Sequence, residues 1–104
     1  MKIHNYTPHP INLVGYGVIP SEGIARLREK EVSRATTPEG ITFCCILTGE
    51  MEGLPENWKS QEEVFIVSRP VAEAIKTPNV VCPYDLIRDE DGNVVGCRAL
   101  AWME

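Results

Sequence analysis

The segment of residues 80–102, VVCPYDLIRDEDGNVVGCRALAW, most constrains what this chain can fold into. Two β-rich runs flank the turn sequence DEDGN at positions 89–93, which is typical of a β-hairpin. The second run is apolar on both faces of a period-two alternation, apart from Arg98. Such a strand is usually covered on both sides. We expect the domain core on one side, with another subunit as a candidate for the other. Arg98 requires a partner there, either a protein carboxylate such as Asp85 or Asp89, or a bound anion.

Length and composition indicate one globular domain over residues 1–104. The chain is 43% hydrophobic and 24% charged, as ordinary soluble domains are. Its apolar runs fall short of the roughly 20 residues that a membrane span needs, and the N-terminus lacks an apolar signal core. We therefore expect a cytosolic protein that does not act at a membrane.

Charge limits the classes of ligand. The net charge of −5 argues against a protein that binds duplex nucleic acid. Six of the basic residues are arginines and four are lysines, and arginine grips phosphate or carboxylate with a two-pronged fork. This bias favours a small anionic ligand. The four cysteines form no CxxC pair, so we expect reduced, buried thiols and no metal or other cofactor.

The remaining patterns predict a β-rich α+β domain, with a small antiparallel or mixed sheet and one short helix. Residues 24–34 fit a helix or a strand, and we favour a strand with Arg26, Arg28 and Lys30 on one face. That face is either a phosphate-binding stripe or a solvated sheet edge. Residues 40–47 are predicted as a core strand and residues 48–62 as a mobile loop. Trp58 in that loop either stacks on a base or closes the core from outside, which we favour.

Two segments carry further candidate ligand contacts. Prolines at positions 8 and 10 predict a rigid corner that presents Thr7 and His9, either at a pocket rim or as a purely structural turn. Residues 63–68 predict a strand and residues 70–76 a helix. Ser68 and Arg69 then lie at the helix N-terminus, where backbone N–H groups can meet an anion. Arg69 can equally be an exposed residue of the first turn.

No catalytic constellation is recognisable in the sequence. A nucleophile turn, a histidine metal pair on a helix and a Walker-type loop are all missing. The acidic residues at positions 89–91 are expected to form a solvated turn. The sequence therefore favours a binding protein without turnover over an enzyme.

Four motifs lie in order along nearly the whole chain: NxTPHxIN at 5–12, IPSxG at 19–23, VFIVS at 64–68 before an Ala-rich helix, and DGxxxGCR at 91–98. In these motifs the chain resembles a family of small bacteriophage and prophage proteins that includes the first described Thoeris anti-defence sponges. The resemblance implies β-rich subunits that assemble into homo-oligomers, as dimers or hexamers. It also implies sequestration of cyclic ADP-ribose-type signals, and in some members of cyclic oligonucleotides, inside the bacterial host.

The resemblance also implies roles for individual residues. Asn79 matches an asparagine that follows the short helix, and Arg98 matches late arginines that contact phosphates. Arg69 lies near a position where the family is expected to carry an aromatic residue that stacks on adenine, so it would stack or grip phosphate instead. The full set of candidate ligand contacts is Thr7, His9, Arg26, Ser68, Arg69, Asn79 and Arg98. The alternative interpretation is a small structural or protein-interaction module.

Overall fold

The computed structural model of the protein describes residues 2–60 and 62–104. These residues form eight strands, one α-helix and one short 3₁₀ helix, which confirms the predicted β-rich α+β class. In chain order the elements are β1 (Lys2–Asn5), β2 (Ile11–Leu13), β3 (Gly17–Ile19), β4 (Arg26–Thr36), β5 (Thr42–Glu52), the 3₁₀ helix (Glu56–Ser60), β6 (Glu63–Ile66), α1 (Arg69–Ile75), β7 (Val80–Arg88) and β8 (Val94–Ala101).

Six strands form a mixed sheet in the order β1-β6-β7-β8-β2-β3. The pairs β1–β6, β6–β7 and β2–β8 are parallel, and β7–β8 and β2–β3 are antiparallel. The two edges of the sheet meet, because Ser21 just after β3 forms a parallel bridge with Asn5 of β1. The Glu22 N–H also donates to the Asn5 carbonyl at 2.8 Å. The sheet therefore closes on itself as a small barrel.

Alternate residues of the strands separate two apolar clusters. In β6 and β7, Ile66 and Val81 belong to one cluster, whereas Val80 and Cys82 belong to the other. The first cluster is the barrel interior, and its buried members are Ile11, Ile19, Ile66, Val81 and Cys97. The second lies under α1 and the base of the β4–β5 hairpin, with buried members Ala25, Val67, Val71, Ala72, Val80 and Cys82.

Trp58 packs against this second, outer cluster from the 3₁₀ helix. This position confirms the prediction that Trp58 closes the core from outside. The predicted loop over residues 48–62 is wrong, however, because β5 continues to Glu52 and the 3₁₀ helix covers Glu56–Ser60.

The predicted hairpin at the C-terminal end is confirmed as β7 and β8. The Asp89 N–H donates to the Asn93 carbonyl at 2.9 Å, and Asp89 Oδ1 accepts from the N–H groups of Asp91 and Asn93. The acidic turn is therefore held by its own side chain and is exposed, as expected. Cover of β8 is uneven: Cys97 is buried, whereas Val94 is half exposed.

Strands β4 and β5 form a separate two-stranded hairpin. The strand predicted over residues 24–34 is confirmed by β4, and a strand forms over most of residues 40–47. The prediction that residues 40–47 belong to the core is wrong, because every residue from 28 to 50 except Thr37 is exposed. A run of apolar and β-branched residues indicates that a strand will form, but it does not specify which part of the protein covers that strand. We call this hairpin, residues 26–52, the arm, and its end at Arg26, Leu27, Met51 and Glu52 the base.

The prediction that all four cysteines are buried is wrong for two of them. Cys82 and Cys97 are buried, and burial raises the pKa of both thiols above the ordinary value. Cys44 and Cys45 are exposed on the arm. Among the described residues, no helix has the length and apolar character needed to cross a membrane.

Candidate functional site

Arg98 lies on the exposed surface of β8, opposite a distorted part of β7. Its Nη1 is 3.5 Å from Asp85 Oδ1, so it has the protein carboxylate partner that was one of the two predicted alternatives. The contact is long for a hydrogen bond, and the two side chains are 56% and 54% exposed. Such a surface pair contributes about 0–1 kcal/mol. The remaining guanidinium donors can therefore reach a ligand, and anion binding by Arg98 stays a prediction.

Asp85 itself has an unusual backbone. Its φ of 54° is in the left-handed region, although it lies within a strand. The distortion leaves Asp85 unpaired between the regular pairs Tyr84–Ala99 and Leu86–Cys97. Asp is one of the few non-glycine residues that adopt this conformation, and unusual backbone conformations concentrate at functional positions.

Ser68 and Arg69 lie at the N-terminal end of α1. Ser68 is the N-cap residue by backbone geometry, but its side chain makes no capping hydrogen bond. Arg69 Nε donates to Glu73 Oε1 at 2.9 Å. This hydrogen bond is the main cause of the raised pKa of Arg69, and Cys82 and Tyr84 of β7 add smaller electrostatic contributions. Arg69 is therefore a fixed positive charge close to β7.

Tyr84 connects the Arg69 region to the Arg98–Asp85 pair, and no sequence motif marks it. The ring is exposed, lies next to Asp85 in β7 and is within electrostatic range of Arg69. The β7–β8 pairing places Tyr84 opposite Ala99, beside Arg98. A register shift between Ile87 and Arg88 separates this pairing from the turn at 89–93, so the turn sequence alone could indicate only that Tyr84 lies close to Arg98. We call Arg69, Tyr84, Asp85 and Arg98 the arginine surface.

Asn79 is buried and both ends of its side chain are occupied. Its Nδ2 donates to the Trp58 carbonyl at 2.6 Å and to the Glu63 carbonyl at 3.4 Å, and its Oδ1 accepts from Thr77 Oγ1 at 3.0 Å. Asn79 therefore fixes the 3₁₀ helix and the start of β6. A ligand contact by Asn79 stays a prediction, and it would have to replace one of these bonds.

Thr7 and His9 belong to the closure of the barrel. Asn5 Oδ1 accepts from the Thr7 N–H at 2.9 Å and lies 2.6 Å from Thr7 Oγ1, and Asn5 Nδ2 donates to the His9 carbonyl at 2.8 Å. Ser21 Oγ donates to the Thr7 carbonyl at 2.6 Å. These bonds match the interpretation of the proline corner as a structural turn. They also bring the NxTPH and IPSxG motifs together, while the His9 side chain is exposed.

A further polar cluster, which no sequence motif marks, lies beside this closure. His4 Nδ1 is 2.9 Å from Glu22 Oε2, its Nε2 is 3.3 Å from Glu63 Oε2, and its ring stacks on Phe65. Burial, followed by the same two carboxylates, raises the pKa of the Tyr6 phenol. The partners come from three separate segments, so only the tertiary fold assembles this cluster, and its contacts connect β1 to β6.

Arg26 lies at the base of the arm. It is 3.6 Å from Glu52 Oε1, and Arg28 Nε is 3.0 Å from Glu52 Oε2. The predicted common face of Arg26 and Arg28 is therefore confirmed, and both arginines share one carboxylate. They border an open depression of about 520 Å³ together with Leu27 and Glu29.

The seven predicted contacts thus lie in four separate places. Thr7 and His9 are at the barrel closure, Arg26 is at the base of the arm, and Asn79 contacts the 3₁₀ helix. The remaining three are at or next to the arginine surface: Ser68, Arg69 and Arg98. A more apolar pocket of about 300 Å³ lies between β2–β3 and β7–β8 and contains none of the seven. Asn12 lines it, and Gly96 lets the strands approach there, since a Cβ at position 96 would lie 3.0 Å from the Asn12 carbonyl oxygen.

Comparison of the chain with protein-family models, with curated proteins and with solved structures gives no match. Within residues 2–60 and 62–104, no group of three or more His, Cys, Asp or Glu side chains is arranged to hold a metal ion. The fold and the site therefore define a small closed β-barrel with one outer helix, a projecting arm and an exposed arginine surface.

Proposed function

We propose that this protein is a non-catalytic sponge that binds and sequesters cyclic ADP-ribose-type immune second messengers, with cyclic oligonucleotides as a further ligand class. It would act as a homo-oligomer in the cytoplasm of an infected or lysogenic bacterial host. The four-motif resemblance suggests the ligand class, and the arginine surface supports it from the structure.

The observation that carries the proposal is the placement of two arginines near an exposed tyrosine. Arg69 and Arg98 offer charge-assisted hydrogen bonds to phosphate oxygens, and the Tyr84 ring offers a stacking surface for a base. Both arginines are held by exposed carboxylates, Glu73 and Asp85. Such pairs contribute about 0–1 kcal/mol, so a phosphate can replace either carboxylate at small cost.

Isothermal titration calorimetry of Arg98→Ala and Arg69→Ala tests the proposal, with cyclic ADP-ribose isomers and cyclic di- and trinucleotides as ligands. A hydrogen bond to a charged group contributes about 1.5–3 kcal/mol, so each variant should bind roughly 10- to 100-fold more weakly. Arg34→Ala is the matched control, because Arg34 is also exposed and paired with a glutamate, Glu31, at 2.7 Å. Absence of heat with every ligand, or full affinity in both variants, contradicts the proposal.

Capture and turnover are distinguished by recovering the ligand. After the complex is heated and the protein removed, chromatography should return the ligand unchanged. A new product would identify a nucleotide-processing enzyme instead.

The Arg98–Asp85 contact and the occupied amide of Asn79 favour a second candidate, a structural or protein-interaction module. In that case Arg98→Ala and Asp85→Ala lower the melting temperature by the same small amount, and their effects are not additive, because both remove one pair. Nucleotides then leave the melting temperature of the wild-type protein unchanged. A nucleotide-induced rise that Arg98→Ala abolishes would reject this candidate.

A further inference from the structure

The arm is poorly covered for its length. Its two strands, β4 and β5, have 11 residues each. Within residues 2–60 and 62–104, they pair only with each other and contact the outer cluster at the base, through Leu27 and Met51. An isolated two-stranded hairpin is marginally stable in water, and stable sheets need a third strand or a packed face. The described residues of one copy of the chain do not supply such cover for the outer part of the arm.

The strand register separates two faces of the arm. Glu31 pairs with Ile46 and Arg34 pairs with Cys44, and the ion pair between Glu31 and Arg34 confirms that these residues share a face. This charged face also includes Glu29, which lines the same shallow depression. Paired residues of neighbouring strands point to the same side, and successive residues alternate. The alternation in β4 is interrupted at the register shift between Glu31 and Ser33, which brings Glu31 and Arg34 to the same side.

The opposite face is apolar over its outer part. Ala35 pairs with Phe43 and Lys30 pairs with Leu47, and Cys45 alternates between Phe43 and Leu47 in β5. Phe43 and Leu47 are 62% and 61% exposed. We call this side the apolar face, and its members are Ala35, Ile41, Phe43, Cys45 and Leu47.

The apolar face can supply part of a protein interface. At about 25 cal/mol per Å², the 1.5–3 kcal/mol gained on burying a large apolar side chain corresponds to about 60–120 Å². Ile41, Phe43 and Leu47 are 55%, 62% and 61% exposed, so with the smaller Ala35 and Cys45 they expose on the order of 200 Å². A standard interface buries about 800 Å² per partner, of which about 65% is apolar in homodimers. The apolar face therefore supplies a little under half of the apolar area of such an interface, and the residues around it would supply the rest.

The basic residues on this side of the arm lie at or near its base, whereas the turn at its tip carries an acidic residue. Arg26 and Arg28 share the carboxylate of Glu52, and Lys30 adds a third positive charge on the same side. The tip carries Glu39, whose pKa is lowered by a backbone hydrogen bond and by Thr37, so it is ionised at neutral pH. The base is therefore basic and the tip acidic, which makes two antiparallel arms complementary.

We propose that the arms of two copies of this chain pack apolar face against apolar face in an antiparallel, two-fold arrangement. The acidic tip of each arm then lies over the basic base of the other. The arrangement buries the outer half of both arms. It rests on the arm alone and does not depend on nucleotide binding by the arginine surface.

Light scattering coupled to size-exclusion chromatography tests the contact directly. The wild-type protein should elute with at least twice the mass of one chain. The double variant Phe43→Asp, Leu47→Asp should lose the arm contact, with its mass halved or reduced to that of one chain. Ile46→Asp is the matched control, since Ile46 is exposed to a similar extent, 51%, but lies on the charged face, and it should keep the wild-type mass.

A wild-type protein with the mass of one chain at every concentration overturns the proposal. So does a double variant that keeps the wild-type mass. Circular dichroism shows whether the double variant is folded, and the thiols provide a test that does not depend on it.

Cys44 and Cys45 probe the two faces of the arm in the otherwise native chain. Cys45→Ser leaves Cys44 on the charged face, and Cys44→Ser leaves Cys45 on the apolar face, while Cys82 and Cys97 are buried in both variants. Alkylation of Cys45 by N-ethylmaleimide should slow as protein concentration rises, and alkylation of Cys44 should not. Equal rates for both thiols at all concentrations would also overturn the proposal.

Discussion

The barrel closure depends on Asn5, and Asn5→Ala is the sharpest test of the fold. Asn5 is fully buried, at 0% exposure. Its Nδ2 donates to the carbonyls of His9 and Ile19, and its Oδ1 accepts from the N–H and the hydroxyl of Thr7. One side chain thus connects β1 to the proline corner and to the end of β3.

The cost of the substitution follows from these four contacts. Each net hydrogen bond contributes about 0.5–1.5 kcal/mol, which gives about 2–6 kcal/mol for four. Thr7 and the His9 carbonyl can regain bonds with water because they are not fully buried, whereas the carbonyl of the buried Ile19 loses its partner. We therefore expect Asn5→Ala to lower the free energy of unfolding by about 3–4 kcal/mol, a large share of the roughly 5–15 kcal/mol of a typical domain.

Urea unfolding followed by tryptophan fluorescence measures this loss, at fixed protein concentration because self-association shifts apparent stability. Asn57→Ala, in an exposed part of the 3₁₀ helix, is the control and should change stability by less than about 0.5 kcal/mol. A loss below about 1 kcal/mol for Asn5→Ala would refute the argument.

Asn5→Asp separates the donor and acceptor roles of this side chain. The carboxylate keeps the bonds from Thr7, but it places an oxygen against the carbonyls of His9 and Ile19 in a buried site. Burial and this arrangement raise the pKa of the introduced carboxyl group above its unfolded value. Its protonated form is the one that the fold accommodates. Stability should therefore be highest below the unfolded pKa and should fall as the pH rises through the folded pKa, which a pH series of urea unfolding would detect.

Two further predictions concern the glycine turns and the buried thiols. Gly53→Ala should lower the free energy of unfolding by more than about 3 kcal/mol, because its φ of 103° is left-handed and an added Cβ would overlap the Ile24 carbonyl oxygen. Gly40→Ala has a similar φ of 90° with nothing within 4 Å of the added Cβ, so thermal unfolding of both should show a larger loss at position 53. Cys82 and Cys97 have raised pKa values, so the folded state retains their protons longer than the unfolded state. Stability should therefore decline as the pH rises above the ordinary thiol pKa. Replacing both by Ala should flatten that decline in alkaline urea titrations, and an unchanged slope would contradict it.

The sequence was sufficient to predict those elements whose contacts are made between residues close together in the chain. The β7–β8 hairpin follows from turn residues that bond one another, with Asp89 accepting from two N–H groups and Gly92 at a φ of 83°. The start of α1 follows from the proline in its first turn. The helix ends at Ile75, where Lys76 adopts a left-handed φ of 56°, one residue before the predicted end.

The partners of individual side chains were predictable only as alternatives. From the sequence, the partner of Arg98 was predicted as either a protein carboxylate or a bound anion. The pairing of β7 with β8 brings Asp85 Oδ1 to 3.5 Å from Arg98 Nη1. Register fixes which residues face one another, so Tyr84 became a candidate only with the strands paired. The contacts of His4 and Asn79 come from distant segments, which periodicity does not relate.

The sequence by itself determined the β-rich class, the C-terminal hairpin and the proline corner, because turn chemistry and strand propensity act over a few residues. Tertiary structure decided that the sheet closes through Asn5 and Ser21, and that Phe43 and Cys45 lie on an exposed arm instead of in the core. The physical reason is that an apolar strand has the same local pattern whether its own domain or another molecule covers it.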